Sequence, residues 1–199
     1  MKKLLLLLAS IGLIGCSTIS EDTLIQNVAK TNVKPIFTLD GARVCSSVLL
    51  THNGKIRHVT NAHCCDVGII YYEGVATEQV KKNPSVDLCE LKHSRLPKDG
   101  IKLSENNPQI GSKVYIVGFP MYHDFSISFG RITSNKTTNI IPMMELPIIM
   151  TNAFTYYGNS GGAALNEKGE LVGITAITVP GVWIGGFVPV DVLKSFLDN

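Results

Sequence analysis

From Pro35 onward, short apolar runs alternate with clusters of turn-forming residues. Several runs exchange apolar and polar positions at every second residue, which is typical of half-buried β-strands. Asp40-Gly41 and Asn53-Gly54 separate such runs, and both dipeptides indicate β-hairpin turns. Further strands are predicted at residues 67–72, 74–80, 86–92, 113–117, 126–133, 147–152, 163–165, 170–177 and 183–188. Roughly a dozen short strands at this spacing predict an all-β barrel or sandwich.

Two stretches depart from the strand pattern. The sequence DVLKSFLDN at residues 191–199 predicts a short C-terminal helix that Asp191 could cap. Residues 93–112 are mostly polar, contain Pro97, Gly100 and Pro108, and divide the strands into two nearly equal groups. We interpret this segment as a linker between two lobes, which lie at about residues 35–95 and 110–190 of a domain that covers residues 35–199.

The chain begins MKKLLLLLASIGLIGC, in which two lysines precede an apolar stretch at residues 4–15. This is the pattern of a secretory signal, and the stretch is shorter than the about 20 residues that cross a bilayer. Residues 13–16, LIGC, resemble the bacterial lipobox. That resemblance implies removal of residues 1–15 and lipidation (palmitate) of Cys16, with residues 16–34 as a polar tether that contains a possible helical turn. The alternative is an ordinary secretory signal with Cys16 nearby by chance.

Composition narrows the class of partner. Hydrophobic residues make up 45% of the 199-residue chain, which is enough for a compact domain core. Removing residues 1–15 takes away two of the 18 basic residues and none of the 16 acidic ones, so the mature chain is near neutral. It has no cationic surface of the kind that binds nucleic acid. Ser17, directly after Cys16, favours the outer membrane as the destination in a host that has one, facing the periplasm, as the lipobox resemblance implies.

The sequence TYYGNSGGAAL at residues 155–165 places Ser160 among three glycines. A hairpin turn is the simplest interpretation. A catalytic serine would also need a histidine and a carboxylate. All five histidines precede Ser160, whereas the G-x-S-x-G nucleophile elbow of α/β-hydrolases requires its histidine after the serine. This order excludes a lipase or esterase of that fold.

Two other stretches supply the missing groups: HVTNAHCCD contains His63, and SVDLCELK contains Asp87, which we place at the start of a strand. The motifs TNAHC, VDLCEL and GNSGG, in this order, resemble those of trypsin-like (chymotrypsin-fold) serine endopeptidases. The segments GSKVYIVGFP, FGRITS and GITAI are similar to the HtrA-like branch of that family. The resemblance covers about residues 36–197 and contains no segment that suggests a cofactor.

The resemblance implies a fold and a mechanism. The fold would be two six-stranded antiparallel β-barrels with the active site in the cleft between them. His63 would act as general base, Asp87 would orient it, and Ser160 would attack the substrate carbonyl. Backbone N–H groups of Gly158 and Ser160 would form the oxyanion hole. We therefore expect a monomeric serine endopeptidase that acts on proteins or peptides without a metal or cofactor; the alternative is a catalytically silent binding module tethered at the cell envelope.

The same resemblance implies where substrate specificity resides. The pocket for the residue before the cut would be lined by Phe154, Thr155, Tyr156, Tyr157, Thr175 and Ala176. Family members that cleave after Lys or Arg carry an acidic residue at the position that Phe154 occupies here. We therefore expect an apolar or small side chain before the scissile bond.

Cys45, Cys64, Cys65 and Cys89 remain after Cys16 is set aside. A zinc site is disfavoured because its ligands are usually separated by two or more residues. Disulfides fit an exported chain, and four cysteines allow three pairings. The family resemblance implies Cys45 with Cys64. The hypothesis for the second pair is Cys65 with Cys89, because Asp87 and Cys89 would share one face of a strand and point towards the His63 loop.

Overall fold

The computed structural model describes residues 19–67, 70–72, 74–92, 97–137, 146–179, 181 and 184–199. The signal segment, Cys16 and parts of the predicted strands at 67–72 and 183–188 lie outside the described residues. Three α-helices are seen in the described part: α1 (Glu21–Asn32), α2 (Ala62–Cys65) and α3 (Val190–Asp198). The strands are β1 (Val33–Phe37), β2 (Arg43–His52), β3 (Lys55–Thr60), β4 (Ile70–Tyr72), β5 (Val75–Thr77), β6 (Gln79–Asn83), β7 (Leu88–Leu91), β8 (Ile101–Lys102), β9 (Lys113–Gly118), β10 (Ser126–Thr137), β11 (Ile148–Thr151), β12 (Ala163–Leu165), β13 (Leu171–Val179) and β14 (Ile184–Pro189).

The second lobe is a closed six-stranded barrel. Its strands pair in the order β10-β11-β14-β13-β12-β9 and return to β10, and every pairing is antiparallel. Alternate side chains point inward, as the period of a strand requires. A cluster that includes Ile116, Ile132 and Phe187 is buried there. The all-β prediction and the second barrel are therefore confirmed.

The first lobe is an eight-stranded sheet rather than a closed ring among the described residues. Its strands run in the order β5-β4-β1-β2-β3-β7-β6, and β8 pairs with β2. The β2–β3 hairpin turns at Asn53 and Gly54, and both residues have positive φ, 49° and 72°. These angles are those of the tight turn that the Asn-Gly dipeptide predicts. The prediction of two six-stranded barrels is thus confirmed for one lobe, and the other is seen as an open sheet.

The predicted linker contacts both lobes. Ile101 of β8 pairs with Leu50 of β2, and Leu103 forms a bridge with Leu171 of the second barrel. Residues 93–96 of this segment lie outside the described residues. The part that is described is therefore packed onto the body of the protein.

The predicted tether differs most from the structure. Residues 21–32 form helix α1, which Ser20 caps by accepting a hydrogen bond from the Thr23 N–H at 3.3 Å. Ile25 and Ala29 are fully buried, and they belong to a core that contains residues of β2, β9, β13 and α3. The assignment of residues 21–34 to a tether is wrong because the apolar residues recur at helical spacing and bury one face of α1.

Helix α3 forms where DVLKSFLDN predicts it, but Asp191 is not its cap. Pro189 is the N-cap residue, and Asp191 lies in the first turn. Its carboxylate accepts a hydrogen bond from the Val192 N–H at 2.7 Å, and an acidic residue in the first turn is favourable there. No helix in the described part of the chain is both long and apolar enough to pass through a bilayer.

Candidate active site

His63 and Asp87 form the centre of the site. His63 lies on α2, and its Nδ1 atom is 2.9 Å from Asp87 Oδ2 and 3.0 Å from Oδ1. The backbone N–H of His63 also donates to Asp87 Oδ1 at 3.0 Å. Asp87 is 5% exposed, whereas half of the imidazole surface faces solvent. The carboxylate therefore fixes the ring through one nitrogen and leaves Nε2 directed away from it.

Asp87 reaches His63 through an unusual backbone conformation. It follows the 3₁₀ helix Pro84–Val86 and adopts left-handed angles, φ 52° and ψ 46°, which aspartate tolerates better than most residues. β7 begins only at Leu88, so the prediction that Asp87 opens the strand is wrong by one residue. Asn61, just before α2, donates its side-chain amide to the Asp87 carbonyl at 2.9 Å. The His63 N–H thus holds the carboxylate of Asp87, and the Asn61 amide holds its carbonyl. The fold therefore sets the distance between His63 and Asp87.

Ser160 lines the same pocket as His63. The loop that carries it is fixed to β2: the Ser46 N–H donates to the Ser160 carbonyl at 2.8 Å, and the Ser46 hydroxyl donates to the Gly158 carbonyl at 2.7 Å. Gly161 has φ +83°, and a Cβ atom on it would lie 2.1 Å from the Ser46 carbonyl oxygen. Only glycine fits there. The described hydrogen bonds include none between the Ser160 hydroxyl and His63.

Two backbone N–H groups of this loop are available to a ligand. Within the described part of the chain, neither the Gly158 nor the Ser160 N–H donates to a protein acceptor, while the Asn159 N–H between them donates to the Tyr156 carbonyl at 3.0 Å. Gly158 has φ +93°, and a Cβ atom there would lie 2.5 Å from the Phe119 carbonyl oxygen. The loop thus provides free donors of the kind that stabilise an oxyanion.

A cavity of about 290 Å³ adjoins Ser160. Its lining is His63, Thr155, Tyr156, Tyr157, Ser160, Thr175, Ala176, Ile177 and Thr178. Five of the six residues predicted for the substrate pocket are among them. Phe154 is not: its ring stacks on Tyr156 at a centroid distance of 6.3 Å, and its carbonyl accepts from the Ser128 hydroxyl at 2.7 Å. Phe154 therefore supports the wall of the cavity from behind.

Two disulfides flank His63. Cys45 on β2 is bonded to Cys64, and Cys65 is bonded to Cys89 on β7. The first pair is the one that the family resemblance implies, and the second is the one that we hypothesised. The argument that Asp87 and Cys89 share one face of a strand fails, because Asp87 lies outside β7. Cys45, Cys64 and His63 place possible metal ligands within 4.8 Å of one another, but the two sulfurs are joined to each other and cannot act as thiolates.

Several supporting residues were not predicted from the sequence. Ser46 joins β2 to the Ser160 loop, Asn61 holds Asp87, and the Thr60 hydroxyl donates to the Ser46 carbonyl at 2.7 Å. Thr178 lines the cavity and donates its hydroxyl to the Thr155 carbonyl at 3.1 Å. Apart from their polarity at buried strand or turn positions, the sequence carries no signal for these roles.

The family model described as a trypsin-like peptidase domain matches residues 45–174, a span that contains His63, Asp87 and Ser160. The chain belongs to the trypsin-like peptidase family. Among trypsin-like peptidases, it is similar to HhoA of Synechocystis sp., with 32% identity over 164 residues that cover 75% of this chain and 41% of HhoA. It is also similar to the serine endoprotease DegS of Salmonella typhimurium, with 29% identity over 142 residues that cover 67% of this chain and 39% of DegS.

The fold of this trypsin-like peptidase is also found in solved structures. A serine endoprotease from Yersinia pestis superposes with a TM-score of 0.72 at 24% identity, over 91% of this chain and 66% of that one. At this identity the likeness concerns the fold. The chain spans less than half the length of the two relatives named above, HhoA and DegS.

Proposed function

We propose that this chain is a serine endopeptidase that hydrolyses peptide bonds of protein substrates through His63, Asp87 and Ser160. The observation that carries the proposal is the hydrogen-bonded pair of His63 and Asp87 beside a pocket that Ser160 also lines. A carboxylate, an imidazole and a hydroxyl in this relation are the elements of a serine-protease triad.

The proposed first step is attack of Ser160 Oγ on the substrate carbonyl carbon. His63 Nε2 takes the hydroxyl proton, and the ring becomes an imidazolium whose Nδ1–H donates to Asp87. As the tetrahedral intermediate collapses, the same proton passes to the leaving amine, and an ester on Ser160 remains. Water then attacks the ester with His63 again as base, which restores the hydroxyl and releases the acid.

Charge that develops on the carbonyl oxygen needs donors of its own. The Gly158 and Ser160 N–H groups have no protein acceptor among the described residues, which supports their assignment to the oxyanion hole. Removing one such donor typically costs about 10² to 10³ in rate. Only proline removes a backbone donor, so for any other substitution the positive φ of Gly158 is the feature that a mutation would disturb.

The cavity beside Ser160 supports the expected substrate preference. Among the described residues its lining contains threonine, tyrosine, alanine and isoleucine side chains and no carboxylate. A lysine or arginine side chain would be buried there without a counter-charge, which is unfavourable. We therefore propose cleavage after apolar or small residues, by a chain that acts as a monomer.

We further propose that the mature chain is an exported lipoprotein held at the cell envelope by lipidated Cys16, in the outer membrane facing the periplasm where the host has one. The support is the sequence LIGC at residues 13–16 after two lysines and an apolar stretch. Mass spectrometry of the N-terminal peptide tests this, since the peptide would begin at Cys16 and carry acyl groups.

The activity is tested with a fluorophosphonate probe, which reacts with an activated serine. Labelling of the folded wild type at Ser160, with loss in Ser160→Ala and His63→Ala, is expected. His123→Ala is the matched control, because this exposed histidine lies outside the pocket, and it should label like the wild type. A folded wild type that resists labelling and cleaves no protein would instead indicate the binding module.

A further inference from the structure

Three exposed apolar side chains surround the beginning of α1. Ile19 is 67% exposed, Ile110 is 57% exposed and Phe129 is 69% exposed. Single exposed apolar residues are common on soluble proteins and need no explanation. These three are of interest because the contacts described next connect the segments that carry them, and because Ile19 lies three residues after Cys16 in the sequence. We call them, with Lys113 and Arg131, the Phe129 face.

The β9–β10 pairing holds the strand residues of the Phe129 face side by side. Phe129 is opposite Tyr115, with ring centroids 6.2 Å apart, and Arg131 is opposite Lys113. The Lys113 ammonium lies 5.3 Å from the centre of the Phe129 ring. Phe129 and Arg131 are two residues apart on one strand, so they project from the same side of the sheet.

Ile110 and Ile19 are connected to this side by hydrogen bonds of their neighbours. The Arg131 guanidinium donates to the Gly111 carbonyl at 2.8 Å, directly after Ile110. The Lys113 ammonium donates to the Glu21 carboxylate at 2.9 Å, two residues after Ile19. The Phe129 face therefore combines three exposed apolar side chains with Arg131 and with the Lys113–Glu21 ion pair, near the point where the chain enters α1.

The length of chain before α1 limits how far this face lies from the anchor. Five peptide units join Cys16 to Glu21, and fully extended they span at most about 18 Å. Acyl chains on Cys16 would be inserted in the bilayer, so Glu21 and its partner Lys113 are kept within that distance of the lipid surface. A long flexible linker would leave the orientation of the domain free, but only residues 17–20 separate Cys16 from α1, and α1 packs into the core.

We propose that the Phe129 face rests on the bilayer, with Phe129 and Ile110 in the interfacial region and Arg131 near anionic lipid headgroups, while Lys113 stays paired with Glu21. This inference rests on the lipid anchor in the proposed function. Apolar side chains flanked by basic residues are the combination that binds membrane interfaces. The anchor then fixes the orientation of the domain as well as its location.

The orientation has a consequence for substrates. β9 runs from Lys113 on this face to Gly118, where a Cβ atom would lie 2.7 Å from the Asn159 side-chain oxygen in the Ser160 loop. Five strand residues correspond to about 17 Å. The candidate active site is therefore held close above the lipid surface, within reach of polypeptide segments that leave the membrane or lie near it.

The test uses the full lipidated chain in vesicles of phosphatidylethanolamine and phosphatidylglycerol, with or without phospholipids brominated on the acyl chains. Trp183, the single tryptophan, is replaced by phenylalanine, and a reporter is introduced as Phe129→Trp. Val75→Trp is the matched control, because Val75 is 56% exposed and lies on the first lobe. Brominated lipid should quench the emission of the Phe129→Trp reporter about two-fold and leave that of the Val75→Trp reporter nearly unchanged.

Each other outcome overturns the proposal. Equal, weak quenching at both positions would show a domain that tumbles freely on its anchor. Blue-shifted emission of the Phe129→Trp reporter that depends on protein concentration and not on lipid would show that a second copy covers this face. If Cys16 carried no acyl groups, no anchor would hold the Phe129 face beside the bilayer. Fluorophosphonate labelling of Ser160 in the same samples reports separately on the proposed catalytic activity.

Discussion

One carboxylate oxygen of Asp87 accepts hydrogen bonds from both the backbone N–H and the Nδ1 atom of His63, each at 3.0 Å. The main chain and the ring of His63 are thus oriented by the same atom. In this arrangement Nδ1 carries the proton, and Nε2 is the basic nitrogen. The relation makes a specific prediction for Asp87.

Replacing Asp87 by asparagine should keep the fold and lower kcat by about 10⁴, because an amide can hold the ring in the wrong tautomer. Hydrolysis of a fluorogenic peptide measures kcat, and circular dichroism checks the fold. Asp66→Asn is the control, because Asp66 lies next to α2, is exposed and pairs with Lys82. A loss smaller than about tenfold would remove Asp87 from the proposed mechanism.

Alanine substitutions at two glycines with nearly the same φ distinguish the effect of backbone strain from that of steric crowding. Gly41 and Gly161 have φ +80° and +83°, but a Cβ atom meets nothing within 4 Å at Gly41 and lies 2.1 Å from the Ser46 carbonyl at Gly161. Gly41→Ala should lower the free energy of unfolding by about 1–2 kcal/mol through strain alone. Gly161→Ala should cost about 1–3 kcal/mol more and abolish Ser160 labelling, since the loop must move. Urea denaturation of both variants measures these free energies of unfolding. Equal losses of stability in the two variants would contradict the predicted crowding at Gly161.

The disulfides should differ in their effect on catalysis more than in their effect on stability. Removing either as a double alanine variant should lower the free energy of unfolding by about 2–4 kcal/mol. The two bonds close loops with sequence separations of 19 and 24 residues. Their contributions from loop-closure entropy therefore differ by only about 0.2 kcal/mol. Cys65→Ala/Cys89→Ala should lower kcat further, because that bond joins the helix of His63 to β7, which follows Asp87. Comparable kcat values in the two double variants would contradict this.

Glu21 gives the attachment of α1 a pH dependence. The Tyr115 hydroxyl and then the Lys113 ammonium lower the pKa of the Glu21 carboxyl below its ordinary value of 4.5. A carboxyl with a lowered folded-state pKa stabilises the fold above its unfolded pKa and loses that contribution as the pH falls through the folded value. Glu21→Gln should therefore lower the urea midpoint of unfolding at pH 7 and lower it less at pH 3. Glu167→Gln, at an exposed turn, should shift neither, and a Glu21→Gln effect that stays constant with pH would exclude the carboxylate as its source.

Substrate preference can be read from a peptide-library digest. Cuts after alanine, valine or leucine are expected, with few after lysine or arginine, because the part of the cavity lining that the structure describes contains no carboxylate. Gly185→Ala should reduce cleavage after the larger side chains, since a Cβ atom at Gly185 would lie 2.1 Å from the Thr155 hydroxyl. Frequent cleavage after arginine would refute the assignment of the cavity.

Motif order and turn chemistry predicted much of this molecule. The family resemblance of three motifs, in the order His63, Asp87 and Ser160, predicts the triad, and the structure places His63 in contact with Asp87 and beside Ser160. The Asn53-Gly54 hairpin was visible because both residues tolerate positive φ. Such local signals depend on a few neighbouring residues, which is why the sequence displays them.

The largest failure involves partners that are distant along the chain, whereas two smaller ones involve local conformation. α1 looked like a polar tether because its buried face packs against strands that come later, including Ile174 of β13. Phe154 was assigned to the pocket by analogy, but its direction depends on Tyr156 and Ser128. The left-handed angles of Asp87 follow a 3₁₀ turn capped by Asn83, and the Asn83-Pro84 dipeptide is the local turn signal that the strand prediction overlooks.

The core shared by α1, β2, β13 and α3 joins the first described helix to the last one. Such long sequence separations slow folding, because distant segments must meet before their contacts stabilise anything. A chain that ends before Phe196 lacks part of this core, so the core is complete only once α3 is present. For the export that we propose, such a delay would keep the chain extended during passage through a secretion pore, with cysteine oxidation and final collapse on the far side.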